Sequence, residues 1–401
     1  MGWKRYLDLG ALGVSPLEEM ERLYRVVNQA VKTEPEVLEA SRRELVALQR
    51  GDPGNRELWE QMIAASRTEF DRIYRRLAVS FDHALGESFY DSRLEGVLRE
   101  LSERGIAEAS EGAQVVFFRE QPELSRHPAI VRKSDGAANY ATTDLATLQY
   151  RWETWRPDEI LYVTDGRQQL HFRQVFAIFR RWYPKASVGL HHVWFGSILG
   201  LDGRPFRTRD GETVRLSDLL DEAEERAYGL VTSKNPALPD ATRREIARIV
   251  GLGAVKYADL LPGRQSDYVF DWDRMLALNG NTAPYLQYAY ARIRSIFRRA
   301  GVERVEEAPG ALPVLAEELE LAKHLVNFGF VLEAAAEEYR PNHLCTYLYE
   351  LAGRFARFYE RCPVLKAADD ERVLRLRLCD LTARVLREGL GLLGIETLEQ
   401  M

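Results

Sequence analysis

Between residues 113 and 195, short apolar runs alternate with amphipathic segments, and this alternation constrains the fold more than any other feature. Val115-Val116-Phe117-Phe118 and Ala129-Ile130-Val131 are brief and rich in β-branched or aromatic residues, which predicts strands. A further strand is expected near 137–141, followed by a helix from Thr143. Ile160-Leu161-Tyr162-Val163 reads as a buried strand, 167–182 as an amphipathic helix and 187–195 as another strand. Strands and helices in alternation, joined by short loops, predict parallel βαβ units. In such sheets ligands lie beyond the carboxyl ends of the strands. The segments 141–144 and 164–168 and the strand end at 195 are therefore expected to face one site.

The flanks are helical. Leu17, Met20, Leu23, Tyr24 and Val27 recur at helical spacing, and the helical character extends over 15–110. Within it, 35–50 and 55–78 are separated by the turn Gly51-Asp52-Pro53-Gly54. A Gly- and Arg-rich loop covers 197–216, and helices are expected at 216–228, 239–251 and 271–278. Beyond 281 the pattern is helical throughout (281–300, 311–338, 341–361 and 369–393), punctuated by Pro309-Gly310 and Pro341. This block reads as a separate all-α domain.

The 401 residues, 46% of them hydrophobic, suffice for two or three cores. A formal net charge of -6 means that nucleic-acid binding would need a local basic face. Cys345, Cys362 and Cys379, spaced 17 residues apart, match no zinc pattern and read as buried thiols in a reducing compartment. No apolar run approaches the ~18 residues of a membrane span, and no secretory pattern opens the chain. A soluble, cytoplasmic protein without membrane or DNA partners is expected.

Several segments could carry chemistry. Thr143 fits a helix N-cap, which would set Asp144 in the first turn, where it could simply complement the helix dipole. Alternatively, Asp144 is a carboxylate at a strand-end crevice, facing a cationic ligand with Tyr140 as a wall. A guanidinium suits such a partner through planar, charge-assisted bonds. Gln168 and His171 follow the next strand and would share that edge. His191 and His192 point to opposite faces of a strand, which argues against a metal pair. The end of that strand, through Gly196, suits backbone contact to an adenine. Arg204, Arg207 and Arg209 could clamp a triphosphate, or could belong to a solvated turn. In the helical block, aromatics interleave with arginines in three clusters. One holds Tyr288, Arg292 and Arg294, the next Tyr347, Arg354 and Tyr359, and the third Arg384. Such interleaving suits RNA, although a tyrosine stripe at helical spacing also suits a core.

Taken together, the motifs resemble those of the arginyl-tRNA synthetases, a class I family. They are Gly86-Glu87-Ser88-Phe89-Tyr90, Lys133-Ser134-Asp135-Gly136, Tyr140-Ala141-Thr142-Thr143-Asp144, Arg167-Gln168 with His171-Phe172, and His192-Val193 with Phe195-Gly196. Val255-Lys256-Tyr257-Ala258-Asp259, Ser266-Asp267-Tyr268-Val269-Phe270-Asp271-Trp272-Asp273, the run from Asn281 to Arg292, and Tyr347-Leu348-Tyr349-Glu350-Leu351-Ala352 extend the likeness over 15–401.

The resemblance implies an α/β plus all-α architecture. A truncated Rossmann-like parallel sheet occupies 1–200, with a helical insertion at about 15–110. A signature loop and connecting helices cover 201–279, and a helical anticodon-binding domain covers 280–401. It also implies ATP-dependent attachment of arginine to its tRNA, with ATP as substrate, Mg2+ accompanying it, no tightly bound cofactor and no protein metal site. Arginine would be held by Tyr140, Asp144 and Gln168. ATP would be held by His171, His192, Val193, Phe195, Gly196, Arg207 and Arg209. The tRNA would meet Tyr288, Arg292, Arg294, Tyr347, Arg354, Tyr359 and Arg384.

The family's His-Ile-Gly-His motif has no counterpart among the seven histidines, none of which forms a His-x-x-His pair. The expectation is therefore a ligase that is incomplete alone, weak or inactive. It would need a separate N-terminal synthetase fragment, or a second copy, to cover an exposed sheet edge. The alternative is an inactive paralogue that binds tRNA or arginine for another role.

Overall fold

The computed structural model describes residues 1–206, 214–305 and 312–401. The chain divides into two compact units, Met1–Asp82 and His83–Met401.

The first unit is helical: α1 (Gly2–Tyr6), α2 (Leu9–Val14), α3 (Pro16–Thr33), α4 (Pro35–Gln49) and α5 (Pro53–Arg76). Proline opens each of the last three, where its missing N–H and fixed φ cost nothing. Asp52 caps α5 by accepting from the Asn55 N–H. Leu23 and Val37 are buried among these helices. Lys4 joins them from α1 by donating to Glu44 and to Asn55.

The second unit begins with α6 (Asp91–Glu103), then β1 (Glu108–Ser110), β2 (Ala113–Val116) and β3 (Ala129–Arg132). These three strands form an antiparallel sheet. Next come α7 (Tyr140–Trp155), β4 (Glu159–Asp165), α8 (Gln169–Trp182) and β5 (Gly189–Phe195). β4 and β5 pair in parallel, in continuous register from Glu159↔Gly189 to Asp165↔Phe195, with α8 as the crossover. The short strands β6 (Ile198–Leu199) and β7 (Tyr268–Val269) also pair in parallel, separated in the chain by α9 (Leu216–Lys234) and α10 (Asp240–Leu260).

Two expectations need correction. The strand foreseen near 137–141 reduces to one bridge, Arg132 with Ala138, and α7 starts at Tyr140 rather than Thr143. Asn139 is the cap: its side chain accepts from the Tyr140 N–H and donates to the Ile130 carbonyl. Asp144 consequently lies beyond the first turn, where the dipole's influence has faded. The parallel sheet was also expected to include this strand near 137–141. The strand that does precede α7 is β3, and it hydrogen-bonds to β2, so among the described residues β4 and β5 form a two-stranded sheet of their own.

One face of β4 and β5 carries Ile160, Tyr162 and Leu190, buried in a core with Phe172, Val175 and Ile178 of α8. The other face presents Leu161, Val163 and Phe195, which are 42%, 63% and 45% exposed.

After β7 the chain is helical: α11 (Trp272–Met275), α12 (Ala283–Ala300), α13 (Ala316–Val326), α14 (Phe328–Glu337), α15 (Pro341–Arg361) and α16 (Asp369–Leu392). Leu286, Ile293, Leu348, Leu351, Phe355, Phe358 and Leu386 form the centre of their core. Gln287 is fully buried on α12, and its amide donates to the carbonyls of Ile249 on α10 and of Glu396. The helical block is thus bolted to the connecting helices. α9 and α10 touch closely at Gly251, where a Cβ would stand 2.7 Å from the Ala223 carbonyl oxygen. Backbone cannot yield as a side chain can, so Gly251→Ala is expected to cost about 2–3 kcal/mol. Urea denaturation followed by circular dichroism measures this.

Candidate functional site

The parallel pairing places the carboxyl ends of β4 and β5 side by side, at Asp165 and Phe195. Asp165 caps the following turn, accepting from the backbone N–H and side chain of Arg167. These two bonds hold its carboxyl below the ordinary range. Gln168 follows, exposed, and precedes α8 directly.

His171, in the first turn of α8, reaches across to α7, where its Nε2 lies 2.6 Å from Asp144 Oδ2. The Tyr140 ring flanks the same imidazole at 4.9 Å and is itself 67% exposed. Tyr140, Asp144, His171 and Gln168 therefore come from the amino-terminal ends of α7 and α8. Asp144 is partly open to solvent, with a side-chain exposure of 32%.

Along β5, the His192 ring packs on Phe172 at 4.7 Å, and its Nε2 lies 2.8 Å from the Thr164 hydroxyl of β4. Burial, then the nearby Arg264 and His171, lowers its pKa, which favours a neutral ring. Val193, Phe195 and Gly196 line a cavity of about 560 Å³ together with Val163, Asp165 and Arg264. Gly196 does sit at a close approach. A Cβ there would fall 2.6 Å from the Ser266 carbonyl oxygen, so the loop before β7 is the near neighbour. Arg207 and Arg209 lie outside the described residues.

Arg264 escaped the sequence analysis. Its guanidinium donates to the carbonyls of Trp194 and Tyr339, tying the end of β5 to the helical block. It lies in a loop far from β5 in sequence, so only its neighbourhood to the Ser266–Asp273 motif could have flagged it. Asp267 of that motif accepts from the Ser197 N–H and fixes the same junction.

The helical block brings part of the expected RNA-facing set together. Tyr288, Arg292, Arg299, Tyr359 and Lys366 line a cavity of about 840 Å³, and the Arg292 guanidinium stands 4.5 Å over the Tyr359 ring. Arg294 is bonded to Glu399, and Arg384 faces Asp380; both line a separate cavity of about 530 Å³. Arg354 pairs with Glu350 on its own helix. Tyr347 requires a correction. It is 5% exposed, stacks on His324 at 4.3 Å and donates its hydroxyl to the His324 carbonyl, so it belongs to the core. The three cysteines are buried free thiols; burial pushes Cys345 up to about 12.

A parallel βαβ crevice followed by a helical block agrees with the architecture of a class I aminoacyl-tRNA synthetase with its anticodon-binding domain, and the family comparisons show that class. Residues 2–272 match the family of class I tRNA synthetase (R) catalytic domains, and residues 286–401 match the DALR anticodon binding domain. The chain is 47% identical over 394 residues to an arginine–tRNA ligase from Azotobacter vinelandii, covering 96% of this chain and 68% of that protein. It is 46% identical over 398 residues to an arginine–tRNA ligase from Escherichia coli O157:H7, covering 97% and 69%. The arginyl-tRNA synthetase of Thermus thermophilus superposes with a TM-score of 0.79 at 28% identity, covering 95% of this chain and 69% of the other. That of Plasmodium falciparum also gives 0.79 at 28%, covering 94% and 64%. The chain belongs to the arginine–tRNA ligase family, whose members use ATP as substrate. It spans about two thirds of the length of these relatives.

Proposed function

We propose that this chain attaches arginine to its tRNA in an ATP-dependent reaction, with the guanidinium held by Asp144, Tyr140 and Gln168. The observation that carries this reading is the open Asp144 carboxylate beside an exposed tyrosine, at the end of a parallel strand pair. A carboxylate and an aromatic wall select a planar cation. The surface of β5 at His192, Val193, Phe195 and Gly196 would receive ATP, with His171 at its border and Arg207 and Arg209 steadying phosphates. Magnesium would enter as the metal complex of ATP, held through phosphate oxygens.

The arginine carboxylate attacks the α-phosphorus, and pyrophosphate leaves. A ribose hydroxyl at the tRNA end then attacks the adenylate carbonyl, and AMP leaves. Tyr288, Arg292 and Tyr359 would meet the anticodon stem-loop, with Arg294, Arg354 and Arg384 at its margin. Tyr347 would act through the core. The cytoplasm, which holds all three substrates, would be its location. The working domains would be 1–200, 201–279 and 280–401.

The α-phosphate also needs donors, and the 401 residues contain no His-x-x-His. We place those donors on a segment outside these residues, such as a separate synthetase fragment; a second copy would repeat the same sequence and would only cover the sheet edge. The apolar face of Leu161, Val163 and Phe195 gives such a segment a surface to cover. Removing one such donor typically costs ~10²–10³ in rate, so the 401-residue chain alone should show almost no arginine-dependent ATP–pyrophosphate exchange. Adding an N-terminal synthetase piece that carries His-Ile-Gly-His should restore exchange and tRNA charging. No restoration, with arginine and tRNA still bound, would favour the second reading: a paralogue that binds them without ligase activity.

Arg292→Ala should weaken tRNA binding roughly tenfold, by loss of a phosphate contact and of the stack on Tyr359. Arginine binding should stay unchanged. Filter binding across a salt series measures the first, and calorimetry the second.

A further inference from the structure

Asp144 is engaged through one oxygen. His171 Nε2 meets Oδ2 at 2.6 Å, whereas no hydrogen bond to Oδ1 occurs among the described residues. His171 is the more enclosed partner, with 12% side-chain exposure against 32% for Asp144. Its ring contacts those of Tyr140, at 4.9 Å, and Phe172, at 5.0 Å. Two rings thus contact the imidazole, and the carboxylate it holds is partly open to solvent, with one oxygen not hydrogen-bonded among the described residues.

We propose that His171 is a positioning residue that fixes Asp144 by Oδ2 and presents Oδ1 to the guanidinium of arginine, so that arginine affinity follows the charge on this imidazole. The proposal rests on the reading of Asp144 as the guanidinium carboxylate. A neutral imidazole with its proton on Nε2 donates to Oδ2 and leaves the carboxylate its full negative charge. A protonated imidazole makes the same bond but cancels that charge locally, and the incoming guanidinium loses its attraction. Histidine is the side chain whose charge can respond to pH near neutrality, so a pH profile of arginine binding reads this charge.

Other ionisable groups face the pair from each packed element. α7 supplies Asp144 and Tyr140. β5 supplies His192, whose lowered pKa reflects burial first, then Arg264 and then His171. β4 supplies Tyr162, which packs on Phe172 and has the Arg151 guanidinium 5.0 Å over its ring. Of these side chains, only His171 hydrogen-bonds Asp144.

Calorimetric titration of free arginine into the chain, between pH 5.5 and 8.5, tests the assignment. Wild type should bind about tenfold more weakly at pH 5.5 than at pH 8.5. His171→Gln keeps an N–H near the position of Nε2 but cannot be charged. It should keep the pH 8.5 affinity within about threefold and lose the pH dependence. His171→Leu removes the donor and should lose about tenfold at every pH. A pH profile that persists in His171→Gln would overturn the proposal, as would wild-type affinity in His171→Leu. Asp144→Asn separates the two levels of the argument. If that variant binds arginine like wild type, the guanidinium reading itself fails. If it loses binding while His171→Gln keeps the wild-type pH profile, only the role of His171 fails.

Discussion

Asp144→Asn is expected to weaken arginine binding by about a hundredfold or more, while tRNA affinity stays within about twofold. Asparagine matches aspartate in volume and can still accept from His171 through its amide oxygen, so the packing of α7 against α8 survives. What disappears is the charge. Taking one partner from a hydrogen-bonded charge pair costs about 2–5 kcal/mol, because the remaining ion has lost its water without compensation. Here the remaining ion is the guanidinium, which would face a neutral amide and the tyrosine ring. The tRNA surface at Arg292 and Tyr359 belongs to other helices, α12 and α15, and has no part in this loss. Calorimetry with arginine and filter binding with tRNA separate the two effects.

The largest expected loss of stability lies in the helical block. Arg375 and Glu318 form an ion pair of 2.7 Å with side-chain exposures of 7% and 2%. Glu318 also accepts from the N–H groups of Val314 and Leu315, and Arg375 donates to the Pro363 carbonyl. Every strong polar group here is matched, which is the condition for a buried pair to persist. Arg375→Met leaves the carboxylate buried without its cation and should cost about 3–5 kcal/mol in urea denaturation. Adding Glu318→Leu should recover most of that loss, since an apolar pair of similar volume is often no less stable.

The same pair sets a pH dependence. Burial alone would raise the Glu318 carboxyl, but Arg375 and the two backbone donors outweigh it and hold the group below its ordinary value. The native state thus prefers the ionised form more than the unfolded chain does. The contribution is complete above the unfolded value of about 4.3 and is lost as pH falls through the lower folded value. Wild type should therefore lose stability on acidification below about pH 4, and Arg375→Met should show a flatter curve there.

The helices were legible because their apolar positions repeat at the helical period and their ends carry turn residues. Pro16, Pro35 and Pro53 open helices as proline at the first position should, and Gly301 closes α12 in the left-handed region. β4, α8 and β5 were legible for the same reason, as a short apolar strand, an amphipathic helix and another strand. The start of α7 was not, because Asn139 and Thr143 are both acceptable caps. The choice is made by the Asn139 bond to Ile130, a contact between segments. The partner of β3 was hidden too, since an apolar run does not say which strand it will meet.

The limits at the candidate site are of the same kind. Tyr140, Asp144 and Gln168 were picked out by their place after predicted strands; Tyr140 and Asp144 lie in α7 and Gln168 directly precedes α8, with His171 of α8 joining Asp144 and Tyr140. The bond from His171 to Asp144 spans 27 positions and follows from the packing of two helices, which no local pattern encodes. Tyr347 shows the converse. Its spacing suits an RNA-facing stripe and a core stripe equally, and the hydroxyl bond to His324 decides for the core.

Comparison of arginine with citrulline, which keeps the shape of the side chain but replaces the guanidinium with a neutral urea, tests the central claim most directly. Titrated calorimetrically into the chain at pH 8, arginine should bind at least about fiftyfold more tightly, because only a cation gains from the Asp144 carboxylate. Equal affinity for the two would contradict the account, since it would mean that the crevice at α7 and α8 does not recognise the charge of its ligand.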